Sequence, residues 1–191
     1  NPIPNPTGTP TPRAIVVGAG VSGLTCALRL LESGLAVEVC ARDLPPNTTS
    51  NVAGAIWYPY QAGPADKVDA WALRSYAVFA ELAATDPSSG VALATGVEVF
   101  PSPTDAPPLL RDLPGFRRAR ADELRPGYAS GYVFDAPVIE MPVYLPWLIE
   151  RVRAAGGTIT QRTCASLAEP LAAAPIVVNT TGLAARELVG A

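Results

Sequence analysis

Three glycines carry the first chemical signal. Gly18, Gly20 and Gly23 stand in the G-x-G-x-x-G spacing within AIVVGAGVSGL, residues 14–24. Gly18 permits a tight turn, Gly20 has no Cβ to keep a pyrophosphate off the backbone, and Gly23 lets a new helix pack closely on the preceding strand. The free N–H groups that open such a helix, with the positive end of its dipole, attract phosphate. Two further groups suit the same ligand. Arg42-Asp43 follows Ala41, which holds the commonest position for a ribose-binding acid. An acid here accepts hydrogen bonds from ribose hydroxyls, and an arginine here reads a 2′-phosphate. The hydroxyls of Thr48, Thr49 and Ser50, with loop N–H groups, are suitable donors to a pyrophosphate. Gly54-Ala55 is small enough for a flat ring to lie against the backbone.

These residues need a strand, a helix and a second strand to hold them, and the pattern supplies all three. Residues 14–17 are a short β-branched run of the kind buried on both faces of a parallel sheet. Leu24, Ala27, Leu28 and Leu31 recur at helical spacing, and Gly34 stands where a left-handed cap belongs. Residues 36–40 read as the second strand. A helix is expected over 66–84, with Asp66 as N-cap and Val68, Trp71, Ala72, Phe79 and Leu82 on its apolar face. GVEVF, 96–100, reads as a strand, and 101–114 as an exposed proline-rich connection. Residues 128–140 suggest one or two strands that Pro137 confines to an edge or a bend. A second long helix over 142–155 ends at Gly156-Gly157, a strand follows over 158–164, a short helix over 167–171, and a buried strand over 176–179. The aromatic cluster Trp57, Tyr58 and Tyr60, taken alone, reads as core. The alternation predicts an α/β fold with a parallel sheet and an intervening β-rich insertion.

Composition narrows the function. A net charge of −3 gives no reason to expect nucleic acid as a partner. Charges and prolines interrupt every apolar run before it reaches membrane-spanning length. The absence of histidine excludes His-dependent triads and His-ligated metal sites within this chain. Cys26, Cys40 and Cys164 form no C-x-x-C pair and read as buried reduced thiols, which fits an intracellular origin. Residues 1–12 hold five prolines and no apolar pattern, as expected of an extended, mobile leader without signal-peptide character. The first residue is not Met, which suggests processing or trimming.

In order along the chain, VVGAGVSGL (16–24), VCARDLPP (39–46), TTSNVAGAIWYPY (48–60) and VVNTTGLAA (177–185) resemble the amino-terminal part of the FAD-dependent D-amino acid oxidase family. The hydroxyl triplet running into AGxxW-x-P-Y is the most specific of these pieces. The resemblance implies a Rossmann-like FAD-binding fold over 13–64 and 140–191, with part of a β-rich substrate or interface domain over 65–139. It implies FAD with its pyrophosphate over Ala19, Gly20, Val21 and Ser22, between Gly18 and Gly23. Arg42 and Asp43 would flank the adenosine, although many members begin that pair with the acid. Thr48, Thr49 and Ser50 would reach the pyrophosphate, while Gly54, Ala55 and Ile56 back the flavin ring. Cys164, on the strand 158–164, would meet the adenine through its backbone, and Thr181 would lie by the ribose and phosphate. Ile56 and Tyr58 would face the substrate.

The implied chemistry moves a hydride from the Cα of a D-amino acid to flavin N5, and the W-Y-P-Y segment at 57–60 favours a neutral substrate. Molecular oxygen then yields hydrogen peroxide, and the imine hydrolyses to a 2-oxo acid and ammonia. No side-chain base is required, so no catalytic residue and no metal is expected in this chain. Family members continue past Ala191 with the arginine and tyrosines of the substrate site, and Arg111, Arg117, Arg118 and Arg125 match none of them. Activity is therefore expected to need a companion carboxyl-terminal polypeptide, either cut away or cleaved and still bound, and a homo-oligomer is possible. Alternatives within enzymes are a D-aspartate, glycine or sarcosine oxidase relative. A non-catalytic module with Arg42 on the 2′-phosphate of NADP is the alternative outside them. The expected compartment is the bacterial cytoplasm, or the peroxisome if the source is eukaryotic, with no membrane partner.

Overall fold

A computed structural model of the chain describes residues 13–189; the leader expected over 1–12 lies outside them. The elements run β1 (Arg13–Val17), α1 (Val21–Glu32), β2 (Ala36–Ala41), β3 (Ala55–Ile56), α2 (Ala65–Thr85), β4 (Val91–Phe100) and α3 (Pro108–Arg111). There follow β5 (Arg117–Arg118), β6 (Ser130–Ile139), α4 (Met141–Ala154), β7 (Thr158–Gln161), α5 (Ala168–Ala173), β8 (Ile176–Asn179) and α6 (Ala185–Val189). They form two compact units. The first joins the described residues 13–53 with 141–189, and the second is Gly54–Glu140. Among the described residues no helix is long and apolar enough to cross a membrane.

The first unit is a four-stranded parallel sheet in the order β7-β2-β1-β8. β1 sits between two partners, with Val16 opposite Val39 on one side and Val178 on the other. That position explains its sequence, since Ala14, Ile15, Val16 and Val17 are all buried. α1 lays Leu24, Ala27 and Leu28 into the core while Leu31 stays half-buried. Gly34 ends it at φ +86°, its N–H donating to the Leu31 carbonyl at 2.9 Å, as a left-handed cap requires. α4 packs beside α1 and buries Tyr144, Leu145, Leu148 and Val152. The strand expected to reach Cys164 stops at Gln161. Arg162 N–H still donates to the Ala41 carbonyl at 2.8 Å, but β2 ends at Ala41 and offers nothing further to pair with.

The second unit is an antiparallel sheet in the order β3-β6-β4, with β5 also pairing β6 and α2 packed over one face. Its core gathers Trp57, Ala72, Tyr76, Leu109, Leu110, Leu113, Phe134 and Ala136. Trp57 is pinned by its indole N–H, which donates to Ser75 Oγ at 2.9 Å and to the Ala72 carbonyl at 3.1 Å. Several expectations need correction here. Pro137 lies on the central strand β6 and is fully buried, not on an edge. It is tolerated because its carbonyl accepts Trp57 N–H at 2.8 Å on the β3 side. The N–H that proline lacks would point to that same side, just past the end of the two-residue β3. β4 begins at Val91, not 96. The connection 101–114 is not wholly exposed, since α3 buries Leu109 and Leu110. α2 starts one residue before Asp66, with Pro64 as N-cap, so Asp66 serves the first turn by its charge rather than by capping. Trp71 is 64% exposed and leaves the buried stripe to Ala72 and Tyr76 at i, i+4.

Leu110 is 1% exposed and Leu73 is 41% exposed. Leu110→Ala is expected to destabilise by about 2–5 kcal/mol and Leu73→Ala by about 0.5 kcal/mol or less. Urea unfolding of the two variants checks the difference, and equal midpoints would remove the 109–113 turn from the core.

Candidate functional site

All four strands of the first unit run the same way, so the segments that follow them collect at one edge. Open parallel sheets bind ligands at that carboxyl edge, where the chain turns away to either side. Here the edge borders a cleft of about 850 Å³. Val17–Gly20 comes from β1, Ala41–Asp43 from β2, the stretch 162–165 from the end of β7, and Thr180–Ala184 from β8. The loop 47–50 forms another wall, and α6 adds Glu187 and Leu188.

The glycine turn is built by contacts that leave no room for side chains. Gly18 adopts φ +116°, a conformation that L side chains rarely adopt. Its N–H donates to the Cys40 carbonyl at 2.8 Å, which ties the turn to β2. From the other side Thr180 donates both its N–H and its hydroxyl to the Val17 carbonyl, each at 2.8 Å. A Cβ on Gly18 would lie 2.5 Å from the Thr180 carbonyl oxygen, and one on Gly23 only 1.9 Å from the Gly18 carbonyl oxygen. Gly23 is therefore needed for packing of α1 and does not itself line the cleft.

α1 opens at Gly20, which offers no side-chain cap, and its first turn holds no acid to repel an anion. Ser50 reaches over from its loop, and its Oγ accepts Val21 N–H at 3.0 Å. A Cβ on Gly20 would meet that Oγ at 2.9 Å. Ser50 thus serves as the cap that position 20 cannot supply, and its own proton remains free to donate.

The other expected residues divide by what their polar atoms already do. Thr48 lines the cleft, but its hydroxyl donates to Asn51 Oδ1 at 2.8 Å. Thr181 likewise donates to Asn179 Oδ1 at 2.8 Å. Thr49 is exposed on the cleft wall. Arg42 Nε donates to Asp43 Oδ2 at 2.7 Å, and this pairing with Asp43 holds the guanidinium above its ordinary pKa. Gln161 fixes the pair's backbone by donating to the Arg42 carbonyl at 3.0 Å. Cys164 is buried at the wall beside Cys40. Ala19, Gly20 and Ser22 line the cleft, whereas Val21 contributes through the N–H that Ser50 caps. Gly54, Ala55, Ile56 and Tyr58 belong to the second unit. There Ile56 pairs with Val138 and is 56% exposed. Tyr58 donates to Glu98 Oε1 at 2.8 Å, and burial, reinforced by that carboxylate, raises its phenol well above the ordinary value. Tyr58 also borders a small pocket of about 200 Å³ with Val68, Asp69, Leu109 and Leu110.

Sequence reasoning missed Arg162, Thr180 and Glu187 on the cleft wall. Arg162 is the residue after β7, a position that becomes visible only when the strand is known to stop at Gln161. Thr180 was readable in principle, because it follows the apolar strand IVVN directly, although that strand lies at the sheet edge and is half-buried rather than buried.

A glycine-turned strand–helix–strand unit with its cleft at the carboxyl edge defines a dinucleotide-binding fold. Residues 13–191 match the family model described as FAD dependent oxidoreductase, and the chain belongs to that family. It is 50% identical to a D-amino-acid oxidase of Rubrobacter xylanophilus over 177 residues, which is 92% of this chain and 54% of that protein. It is 47% identical to one from Streptomyces coelicolor over 178 residues, 92% of this chain and 53% of that one. The chain thus spans about half the length of these relatives. Among solved structures, glycine oxidase from Geobacillus kaustophilus superposes with a TM-score of 0.70 at 16% identity, over 93% of this chain and 58% of its own. That likeness shows the fold.

Ser50→Ala removes the cap on Val21 N–H and is expected to lower stability by about 1 kcal/mol. Thr49→Ala, on the exposed neighbour, should change it by less than about 0.5 kcal/mol. Thermal unfolding followed by circular dichroism separates the two, and an unchanged midpoint for Ser50→Ala would dismiss the cap.

Proposed function

We propose that this chain is the flavin-binding portion of a D-amino acid oxidase, with the cleft at the carboxyl edge of the parallel sheet holding the dinucleotide part of FAD. The observation that carries the reading is the meeting of Ser50 with the N-terminus of α1. A glycine, a helix start whose cap comes from the hydroxyl loop, and that hydroxyl with its own proton free stand together there, as suits a pyrophosphate. The residues fit the group, because Gly20 leaves the backbone approachable and no acid crowds the first turn.

In this reading the backbone from Ala19 to Ser22, with Thr49 and Ser50, takes the phosphates. Thr48 and Thr181, whose protons are committed inward, position their loops. Asp43 keeps Oδ1 for ribose hydroxyls while Oδ2 holds Arg42. Arg162 and the backbone at Cys164 face the base end. Gly54, Ala55 and Ile56 back the ring, and Ile56 and Tyr58 look toward substrate. Bound FAD would supply the electron-accepting centre that takes a hydride from the Cα of a neutral D-amino acid and passes the electrons to oxygen, giving a 2-oxo acid, ammonia and hydrogen peroxide. The protein orients and shields. By function, 13–64 and 140–191 are assigned to the FAD-binding domain and 65–139 to part of the substrate or interface domain, a division that gives 54–64 and Glu140 of the second compact unit to the FAD-binding part.

A further carboxyl-terminal polypeptide completes the substrate site. Its support is the half-length match to the relatives, together with Leu183 and Val189, which are 90% and 56% exposed at the end of the first unit. A homo-oligomer and a cytoplasmic setting belong to the same proposal. An NADP module is disfavoured, because the carboxylate of Asp43 on Arg42 would repel a 2′-phosphate.

The test is the visible spectrum of the protein together with its carboxyl-terminal half, before and after anaerobic D-alanine. A flavin band that bleaches supports the proposal, whereas a band that ignores D-alanine but bleaches with D-aspartate or glycine reassigns the substrate. A protein that stays colourless after incubation with FAD overturns it. Gly20→Val should abolish FAD retention by blocking the phosphate path, and Asp43→Ala should weaken it by roughly 10-fold, the loss of about one charged hydrogen bond. Equilibrium dialysis against FAD reads both.

A further inference from the structure

Two buried sulfurs meet beneath the cleft. Cys40, near the end of β2, and Cys164, in the stretch after β7, bring their Sγ atoms to 3.5 Å although 124 positions separate them in sequence. They share a core cluster with Ile15, Val17 and Ala174. Cys164 also lines the cleft and keeps 8% of its surface exposed, whereas Cys40 is fully buried, so Cys164 is the member of the pair nearer to solvent. The Arg162 N–H bond to the Ala41 carbonyl holds the Cys164 segment alongside the end of β2. Cys26, on α1, is half-buried and stands as an independent thiol.

We propose that Cys40 and Cys164 are a dithiol that a peroxide closes to a disulfide, fastening the 162–165 wall of the cleft to β2. The inference leans on the oxidase reading only for the natural source of the peroxide. The Cys164 thiolate attacks one oxygen of the peroxide; an S–O bond forms, the O–O bond breaks, and hydroxide leaves. The Cys40 sulfur then attacks the Cys164 sulfur; the S–S bond forms, the S–O bond breaks, and the departing hydroxide takes the Cys40 proton as water. Two thiols lose two electrons and two protons, and one hydrogen peroxide becomes two waters. A disulfide is about 2.05 Å long, so the sulfurs must close by about 1.5 Å, a movement within the reach of side-chain rotation.

Burial first, and then the hydrogen bond and charge of Cys164, push the Cys40 thiol up to about 12. The charge of Arg162 lowers it and that of Glu38 raises it, both by less. Closure should therefore accelerate as pH rises, because more of Cys40 is thiolate.

The protein is reduced with dithiothreitol, freed of it, treated with hydrogen peroxide, denatured in iodoacetamide and digested with trypsin. The three cysteines fall on separate peptides, Cys26 in 14–29, Cys40 in 30–42 and Cys164 in 163–186. The expected product links 30–42 to 163–186, with Cys26 alkylated, a mass loss of about 2 Da for the two hydrogens lost, and reversal by dithiothreitol. The linked form should melt roughly 5 °C or more above the reduced one, since the bond closes a long loop of the unfolded chain. Cys164→Ser should leave Cys40 alkylated. Three free thiols after peroxide, Cys164 as a sulfinic or sulfonic acid without a link, or a link through Cys26 would each overturn the proposal. Because peroxide is added and the readout is a mass, failure of the oxidase reading does not disturb this test.

Discussion

The first unit depends on one carbonyl and one amide at the end of β1. The Val17 carbonyl receives Thr180 from β8, and the Gly18 N–H goes to Cys40 on β2. Three neighbouring strands are thereby locked in register at the edge where the cleft opens. A buried backbone group left unpaired costs about 1–3 kcal/mol, so the turn has little freedom to relax elsewhere. With the carbonyl and amide spent on both neighbours, the chain can leave the sheet only through a positive-φ residue, and Gly18 supplies it. The spacing of the other two glycines follows from that exit. Gly23 sits one helical turn on, against the Gly18 carbonyl, and Gly20 faces Ser50.

Electrostatics in the cleft is local rather than a matter of net charge. Its cations come already paired, Arg42 with Asp43 at 2.7 Å and Arg162 with Glu169 at 3.6 Å. Exposed pairs of this kind contribute about 0–1 kcal/mol, so their worth is in position, not stability. What remains unbalanced is the N-terminal end of α1, whose dipole meets only the Ser50 hydroxyl. An anion placed there gains from oriented N–H groups that no protein acid competes for.

Much of this was legible because local rules and the final packing agree. β1, α1 and β2 are strongly patterned and bury their apolar residues as the pattern encodes, whereas β8, read as buried, is the edge strand of the sheet and stays half-buried, with Ile176 38% exposed. The misses occur where tertiary contacts override local signals. The first half of β4 reads Val-Ala-Leu-Ala-Thr-Gly, too rich in alanine and too exposed to show strand alternation. Its pairing with β6 decides the matter, residue by residue from Val91 opposite Ile139. α3 is a four-residue turn behind two prolines, and only the burial of Leu109 and Leu110 makes it part of a core. Trp71 has the composition of a core residue but lies off the stripe set by Ala72 and Tyr76.

The site shows a subtler limit of reading residue types. A run of three hydroxyls suggests three donors to an anion, yet the side chains do three different things. Thr48 gives its proton to Asn51, Ser50 accepts from α1, and Thr49 stands exposed. The same division appears in the aromatic run that follows. Trp57 is buried and doubly hydrogen-bonded, Tyr58 is tied to Glu98, and Tyr60 is 72% exposed. In both runs the sequence names a chemistry, while hydrogen-bond commitment decides which residue is left to perform it. A hydroxyl whose proton is already donated inside the protein can offer a ligand only its lone pairs. For an anionic ligand that distinction is decisive, and of the three hydroxyls it leaves Thr49 and Ser50, beside the N-terminal backbone of α1, with protons to give.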